Sequence, residues 1–198
     1  MKLFHLSGPA PLNTNTFLLI GNAGHAVVID PAAAAEEYER LLTEHGAALT
    51  HILLTHGHHD HVGAVKALKK KYGAAVYLGN GDHDGTRLFP LTDADVDVAY
   101  SDGADIAVDD MTFHVIATPG HSQGAVCLLC GDVLFSGDTL FAGEIGRCDL
   151  DGGSYPVMLH SLAKLKAAVQ INAQVLPGHE AFSDMDTEKA QNPYLSQV

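Results

Sequence analysis

The chain has 198 residues, of which 46% are hydrophobic, and carries 11 Lys and Arg against 24 Asp and Glu, a formal charge of -13. This length and apolar content suffice for one well-buried core, so we expect a single domain over residues 1–198. The acidic balance disfavours nucleic acid and anionic membranes as partners, unless bound cations offset the charge locally.

The sequence also restricts the cellular compartment. Apolar runs all fall short of the roughly 18 residues that span a membrane, and Gly8 and Pro9 interrupt the N-terminal stretch before it could act as a signal sequence. The three cysteines are an odd number in a chain too large to need disulfides, so reduced thiols fit better. We therefore expect a cytoplasmic protein.

The predicted elements begin with strands. The runs TNTFLLIG (14–21) and HAVVID (25–30) predict two strands joined by a hairpin-like turn. The next segment, AAAAEEYERLLTEH (32–45), predicts a helix that Asp30 caps and Gly46 ends. Asp30 has a second, compatible interpretation, in which its carboxylate supports a neighbouring histidine.

The middle of the chain alternates between strand and helix patterns. THILLT (50–55) is typical of a buried strand, and apolar residues at helical spacing from Val62 predict a helix that ends at Gly73. AAVYLG (74–79) predicts another strand. The acidic, turn-rich segment 80–105 is interpreted as a short helix plus a loop that could cover a site.

The last part of the chain is rich in short strands. The pattern predicts hairpins at 106–118 and 124–138 and a helix at 154–169. A last strand is predicted at 173–178, and a short helix or loose end at 185–198. Because strands and helices recur in both halves, we expect two sheets sandwiched between helices.

A dense cluster of metal-ligand residues follows the strand at 50–55, in LLTHGHHDHVGA (53–64). His56 and His58 alternate in an extended loop, so both can reach one ion of zinc, iron or manganese. Asp60 and His61 are expected to begin the following helix and point elsewhere, which suits a second ion nearby. His59 occupies the variable position and is interpreted as solvent-exposed.

Three further turns carry the same residue types. His121 lies in TPGHSQG (118–124), Asp138 in FSGDTLF (135–141) and His179 in LPGHE (176–180). Each follows an apolar run and sits beside a glycine. Because functional groups gather at the carboxyl ends of strands, these residues are expected to join the first cluster in one metal site.

These motifs together resemble the metallo-β-lactamase fold superfamily: THGHHDH, TPGHS, SGDTLF and LPGHE occur in that order, over about residues 14–180. Within it, AGEIGRCDLDGGSY (142–155) is similar to the glyoxalase II-like hydrolases and to their persulfide dioxygenase relatives. The resemblance implies an α/β (α+β) fold, a four-layer αββα sandwich in which two mixed β-sheets are flanked by helices.

The resemblance also implies two divalent metal ions, zinc first, with iron or manganese as alternatives. One set of ligands holds the first ion, a second set holds the other, and one carboxylate bridges them: His56, His58 and His121; Asp60, His61 and His179; and Asp138.

The implied activity is that of a binuclear metal-dependent hydrolase of a small-molecule substrate, glyoxalase II-like, that attacks with a metal-bridging hydroxide. A small thioester suits this chemistry because a thiolate leaves without full protonation. Asp60 is the candidate catalytic residue that orients the hydroxide and moves its proton. Arg147 is the candidate substrate-binding residue, although Asp149 stands where the resembling enzymes have a tyrosine.

Other functions remain open at this stage. They are a one-iron persulfide dioxygenase, a hydrolase of another ester, a lactone or a phosphoester, and a non-catalytic metal-binding protein. The sequence makes no prediction of the oligomeric state.

Overall fold

Two β-sheets form the centre of the computed structural model, which describes residues 1–198. The first sheet has six strands that follow one another across the sheet in chain order: β1 (Lys2–Ser7), β2 (Asn15–Ile20), β3 (His25–Ile29), β4 (Ala48–Leu53), β5 (Ala75–Leu78) and β6 (Val98–Ala99). β1 to β3 pair antiparallel and β3 to β6 pair parallel, so the sheet is mixed.

The second sheet also has six strands, again neighbours in chain order: β7 (Asp105–Val108), β8 (Met111–Ala117), β9 (Val126–Cys130), β10 (Val133–Gly137), β11 (Gln174–Pro177) and β12 (Ser183–Asp184). All its pairs are antiparallel except β10 with β11, which are parallel. The carboxyl ends of β10 and β11 therefore lie side by side.

The helices cover the outer faces of both sheets. They are α1 (Ala35–His45), α2 (Val65–Tyr72), α3 (Tyr155–Ala168) and α4 (Met185–Gln191), followed by a 3₁₀ turn at Leu195–Gln197. α1 and α2 pack on the first sheet and α3 and α4 on the second, through two separate apolar clusters. None of these helices combines the length and apolar character needed to cross a bilayer.

A third apolar cluster fills the space between the sheets, where Phe17, Phe113 and Phe135 are buried. Side chains alternate along each strand, so Phe17 faces the other sheet while Leu18 faces the helices. Every residue of β2 is buried because both of its faces are covered. The layers are helix, sheet, sheet and helix, as predicted.

Four local predictions in the N-terminal half of the chain were wrong or incomplete. β1 was not predicted. α1 begins at Ala35 rather than residue 32, and Ala34 precedes it without a side-chain cap. Asp30 does not cap this helix, because its backbone is left-handed, with φ 46°, and its carboxylate is bonded elsewhere. Asp60 and His61 do not begin α2 either, since that helix starts at Val65.

The segment 80–105 contains no helix, which contradicts the prediction of a short one; its regular structure is the two-residue strand β6 and the first residue of β7. Side chains satisfy its backbone in place of helical hydrogen bonds. Asp84 accepts from the Thr86 amide, Thr86 Oγ1 accepts from the Phe89 amide, and Asp95 accepts from the Thr92 amide. This segment is a long loop that crosses the same edge of the sandwich as the metal-ligand motifs.

Candidate metal centre

The first group of predicted ligands lies in the loop that follows β4. His56 and His58 are buried, and His61 comes from the turn before α2. Gly57 stands between the first two histidines because an added Cβ would collide with the Asp82 carbonyl oxygen. Only glycine lets this loop pass so close to its neighbour.

The remaining ligands come from the second sheet. His121 follows β8, Asp138 follows β10 directly and His179 follows β11. Asp138 and His179 come close because β10 and β11 are parallel neighbours. A Cβ on Gly178 would collide with the Asp138 carboxylate and the His61 ring. This explains why a glycine precedes His179.

The structure brings six of the seven predicted ligands together in two sets of three. The donor atoms of His56, His58 and His121 all lie within 4.8 Å of one another, and so do those of Asp60, His61 and His179.

Asp138 lies between these two sets. Its Oδ2 is 3.4 Å from His121 Nε2 of the first set and 3.5 Å from His179 Nε2 of the second. Its Oδ1 is 3.4 Å from His61 Nε2. The position is that expected of a bridging carboxylate.

The facing nitrogens test whether cations fit this centre. His121 Nδ1 donates to the Arg147 carbonyl at 2.7 Å and His179 Nδ1 to the Leu12 carbonyl at 3.2 Å, so both Nε2 atoms carry free lone pairs. His121 Nε2 faces His58 Nδ1 at 2.8 Å, and His179 Nε2 faces His61 Nε2 at 3.3 Å. A lone pair can face another ring nitrogen this closely only with a proton or a cation between the two, and a metal ion in each set would fill that role.

Unpartnered buried atoms lead to the same conclusion. His56 Nε2, His58 Nε2 and Asp138 Oδ1 have no hydrogen-bond partner although they are buried. A buried polar atom without a partner is costly, and a coordinated metal would remove that cost. The donor set of imidazoles and carboxylates fits zinc, iron or manganese.

The two sets differ in their electrostatics. Burial, with the facing His121, lowers the pKa of His58 to about 4, and burial with the His61 charge lowers that of His56 well below its ordinary value. Burial alone would also lower the pKa of His61, but the charges of Asp138 and Asp30 outweigh it and raise the pKa to about 9. Burial thus disfavours the charged form of His56 and His58, whereas the neighbouring carboxylates favour the charged form of His61.

Asp30 supports this second set. Its buried carboxylate accepts from the Thr55 amide at 2.7 Å, from Thr55 Oγ1 at 2.6 Å and from His61 Nδ1 at 3.1 Å. These bonds fix the His61 ring with Nε2 turned toward the centre. Of the two interpretations of Asp30, support of a histidine is confirmed.

Sequence reasoning missed Asp82, which is fully buried in the loop after β5. Its carboxylate accepts from the Gly57 amide at 3.2 Å, from Ser122 Oγ at 2.5 Å and from the Gly124 amide at 2.8 Å. Asp82 thus joins the loop that carries His56 and His58 to the loop that carries His121. Its only signal in the sequence is an acidic residue shortly after a strand.

The same long loop contributes Phe89, whose ring stacks on His58 with centroids 4.8 Å apart. The His59 amide also donates to the Leu88 carbonyl at 2.9 Å. The expectation that segment 80–105 covers a site agrees with these contacts. His59 itself is exposed, with 55% of its side chain accessible.

Arg147 lies in the loop after β10, and its carbonyl is the group that holds His121. Its guanidinium is 62% exposed and forms two hydrogen bonds with Asp149, of 2.7 and 2.9 Å. The side chain is near the centre but engaged with a neighbouring carboxylate.

The order and spacing of these ligands can be compared with known families. The sequence model of the metallo-beta-lactamase superfamily matches residues 9–179, a range that includes all seven. The chain belongs to the metallo-beta-lactamase superfamily. Both the predicted family and the predicted sandwich are confirmed.

Relatives within the superfamily are mostly named as hydrolases. The chain is 30% identical to the probable metallo-hydrolase YqgX of Bacillus subtilis, over 94% of each protein. It is 32% identical to the probable polyketide biosynthesis zinc-dependent hydrolase BaeB of Bacillus velezensis, over 84% of this chain and 72% of that protein. It is 29% identical to the hydroxyacylglutathione hydrolase GloC of Haemophilus influenzae, over 92% of each.

Solved structures of the superfamily superpose over nearly the whole chain. The BLEG-1 B3 metallo-beta-lactamase has a TM-score of 0.87 at 30% identity, covering 98% of this chain and all of that one. ETHE1 from Myxococcus xanthus has a TM-score of 0.85 at 28% identity, covering 100% and 85%. TTHA1623, in a di-iron-bound form, has a TM-score of 0.82 at 32% identity, covering 97% and 100%.

Proposed function

We propose that the protein is a metal-dependent hydrolase of a small thioester, similar in chemistry to glyoxalase II. The observation that carries this proposal is the position of Asp138 between two complete three-residue ligand sets. Two divalent ions held by these residues would lower the pKa of a water molecule and polarise the substrate carbonyl.

Asp60 is the side chain best placed to accept a hydrogen bond from the attacking water. Its Oδ2 accepts from Thr14 Oγ1 at 3.0 Å and lies 3.3 Å from His179 Nε2. The His179 hydrogen bond and the His61 charge keep its pKa well below the ordinary value, although burial opposes them. Asp60 is therefore ionised and can accept a hydrogen bond that orients the water; because its low pKa makes it a weak base, orientation is the role we propose for it.

A thioester is a suitable substrate because its hydrolysis does not require a strong general acid. A thiolate with a conjugate pKa of about 8.5 leaves without full protonation, whereas an amine does not. The similarity to GloC over most of both chains supports this substrate class. Arg147 is proposed to bind an anionic part of the substrate, for which its guanidinium must leave Asp149.

We propose zinc as the native metal, with iron or manganese as alternatives. BaeB is named as zinc-dependent, whereas TTHA1623 was solved with two irons, so relatives at similar identity support both metals. The imidazole and carboxylate donors accept either ion.

The deciding experiment combines metal analysis with a substrate panel. The purified protein, loaded with zinc, is assayed against a thioester, a lactone and a phosphodiester, and the metal content per chain is measured. We expect two ions per chain and release of free thiol from the thioester, which a chelator abolishes. Faster turnover of the lactone or the phosphodiester would contradict the proposed substrate class.

A second candidate is a one-iron persulfide dioxygenase, and the structural similarity to ETHE1 favours it. His56, His121 and Asp138 lie together, and two histidines with one carboxylate can hold a single iron. This function would leave the set of Asp60, His61 and His179 without a role. One iron per chain, with oxygen consumed in the presence of glutathione persulfide, would select it.

A further inference from the structure

The last helix, α4, carries a polar pair that is buried inside the protein. Glu188 lies on the helix and is 2% exposed, and Asn192 follows the helix and is 1% exposed. Asn192 Nδ2 donates to Glu188 Oε2 at 2.8 Å, and Ser183 Oγ on β12 donates to Glu188 Oε1 at 2.5 Å. Because burying a carboxylate is costly unless hydrogen bonds compensate, the remaining partners of this pair should account for its position.

Those partners lie in the loop formed by residues 139–147, which follows β10. The Gly143 amide donates to Glu188 Oε2 at 2.9 Å. Asn192 Nδ2 donates to the Glu144 carbonyl at 3.1 Å. One side chain of the pair thus accepts a hydrogen bond from the loop and the other donates one to it, so the turn of the loop is attached to α4 at two adjacent residues.

The loop 139–147 depends on such contacts because it has little regular structure of its own. A single β-bridge joins Leu140 to Ile145. Inside that bridge, the Phe141 amide donates to the Glu144 carbonyl at 3.0 Å and closes the turn. The hydrogen bonds from α4 therefore fix where this turn lies relative to the second sheet.

The far end of the loop supports the first ligand set. The Arg147 carbonyl accepts from His121 Nδ1 at 2.7 Å, which turns Nε2 toward the centre. An added Cβ on Gly146 would collide with the Asp138 carbonyl oxygen and lie 3.1 Å from His121 Nδ1. The backbone of the loop is thus packed tightly against two predicted ligands. A displacement of the loop would move the His121 ring or break its hydrogen bond.

The turn of the same loop contacts the second ligand set. The Phe141 ring stands at 87° to the His179 ring, with centroids 6.2 Å apart. Phe141 belongs to the turn that α4 holds, so a displacement of the turn would also change the packing on this histidine. Both ligand sets therefore contact the loop that the buried pair anchors.

We propose that Glu188 and Asn192 are positioning residues of the metal centre, which act through the loop 139–147. They hold the turn of the loop, and the loop in turn orients a histidine of the first set and packs against one of the second. Neither side chain is hydrogen-bonded to a predicted ligand. α4 lies beyond residues 9–179, the range that matches the superfamily model, so the role is inferred from these contacts alone. It concerns the geometry of the centre and holds for any substrate.

The test uses cobalt(II) in place of the native metal. Cobalt takes the same imidazole and carboxylate ligands, and its visible absorption depends on the geometry of coordination. Glu188→Gln keeps the size of the side chain but leaves one acceptor oxygen where two serve three donors. We expect the cobalt bands of this variant to change in position or intensity. Metal affinity should fall about tenfold, the lower end of what loss of outer-shell support causes.

Asn192→Asp is the second variant and changes the other member of the pair. It removes the amide donor to the Glu144 carbonyl but keeps an acceptor for the Tyr194 amide, which Asn192 Oδ1 now holds at 3.0 Å. Its cobalt spectrum and metal affinity should change as those of Glu188→Gln do, because both substitutions release the same turn. If only one of the two variants folds, its spectrum and affinity decide the question alone.

Asp184→Ala is the matched control, because it weakens α4 without removing a contact to the loop. Asp184 caps the helix by accepting from the Thr187 amide at 2.9 Å. Loss of such a cap lowers stability, so the melting temperature should fall. The cobalt spectrum and metal affinity should stay at wild-type values. The control thus separates weakening of the helix from displacement of the loop.

Two results would overturn the proposal. One is a wild-type cobalt spectrum and affinity in both Glu188→Gln and Asn192→Asp, which would show that the pair stabilises only the helix. The other is an equal spectral change in Asp184→Ala, which would show that any weakening of α4 disturbs the centre. These readouts need no substrate, so a failure to hydrolyse thioesters would count against the proposed function and leave this inference standing.

Discussion

Ser122 Oγ donates a hydrogen bond of 2.5 Å to Asp82 Oδ2. This bond joins Asp82, which lies outside all the ligand motifs, to the loop that carries His121. The same carboxylate accepts from the Gly57 amide, between His56 and His58. Three donors from two ligand-bearing loops thus converge on one buried group. The relative position of the first ligand set depends on a residue that contacts no metal.

We predict that Asp82→Asn weakens metal binding at the first set by about 10- to 100-fold, as loss of outer-shell support typically does. The amide has one acceptor oxygen in place of two, so at least one buried donor loses its partner, at a cost of about 1–3 kcal/mol in stability. Zinc titration and thermal unfolding measure the two effects. Asp84→Asn, at an exposed carboxylate in the same loop, should change neither.

Substituting single predicted ligands should show which metal ion each of the two sets holds. We expect His58→Ala to reduce metal content by no more than one ion per chain, because only the first set loses a donor. Asp138→Ala should reduce the occupancy of both sets, since this carboxylate lies between them. Elemental analysis of the purified variants measures both. His114→Ala, at a partly exposed histidine on β8, is the control; full metal content in both ligand variants would contradict the two-metal assignment.

The role of Asp60 can be tested with little change in shape. Asp60→Asn keeps the acceptor for Thr14 but removes the charged oxygen that accepts the hydrogen bond of the attacking water. We predict that kcat falls about 10²- to 10⁴-fold while KM for a thioester stays within a few-fold and part of the metal is retained. Steady-state kinetics on samples of known metal content decide it. A fully loaded variant with wild-type kcat would exclude Asp60 as the catalytic residue.

Arg147 and Asp149 offer a reciprocal pair of changes. If the guanidinium binds an anionic substrate, Arg147→Ala should raise KM for an anionic thioester with kcat nearly unchanged. Asp149→Asn should lower that KM, because the guanidinium no longer has to leave a carboxylate. An uncharged thioester on a neutral thiol is the matched control substrate. A change confined to kcat would show that Arg147 has a different role.

The candidate ligand residues were recognisable because each motif that carries them follows an apolar strand pattern and contains a glycine. Their placement into two sets also agrees with the alternation of His56 and His58 and the separate direction of Asp60 and His61, although the helix expected at Asp60 begins later. The two strands of each hairpin were predictable for a similar reason, since turn residues such as Asp109 separate short apolar runs.

Other features depend on contacts that no local pattern encodes. Asp82 lies 25 residues from Gly57 and 40 from Ser122, and its neighbours in the sequence resemble those of any acidic loop. Thr14 lies 46 residues from Asp60, so its hydrogen bond to that carboxylate could not be predicted. Asp30 matched a helix cap locally, and the hydrogen bonds of Thr55 and His61 decided against it.

The sequence by itself determined the family, the sandwich and the identity of the seven metal-ligand candidates, because strand periodicity and ligand chemistry are properties of short segments. Only the tertiary structure decided which loops meet, which carboxylates are buried and what surrounds the centre. Those outcomes follow from the pairing of β10 with β11 and the packing of the two sheets, which bring together side chains more than a hundred residues apart, such as His61 and His179. Burial and hydrogen bonding among such residues are set by that packing and have no counterpart in local sequence.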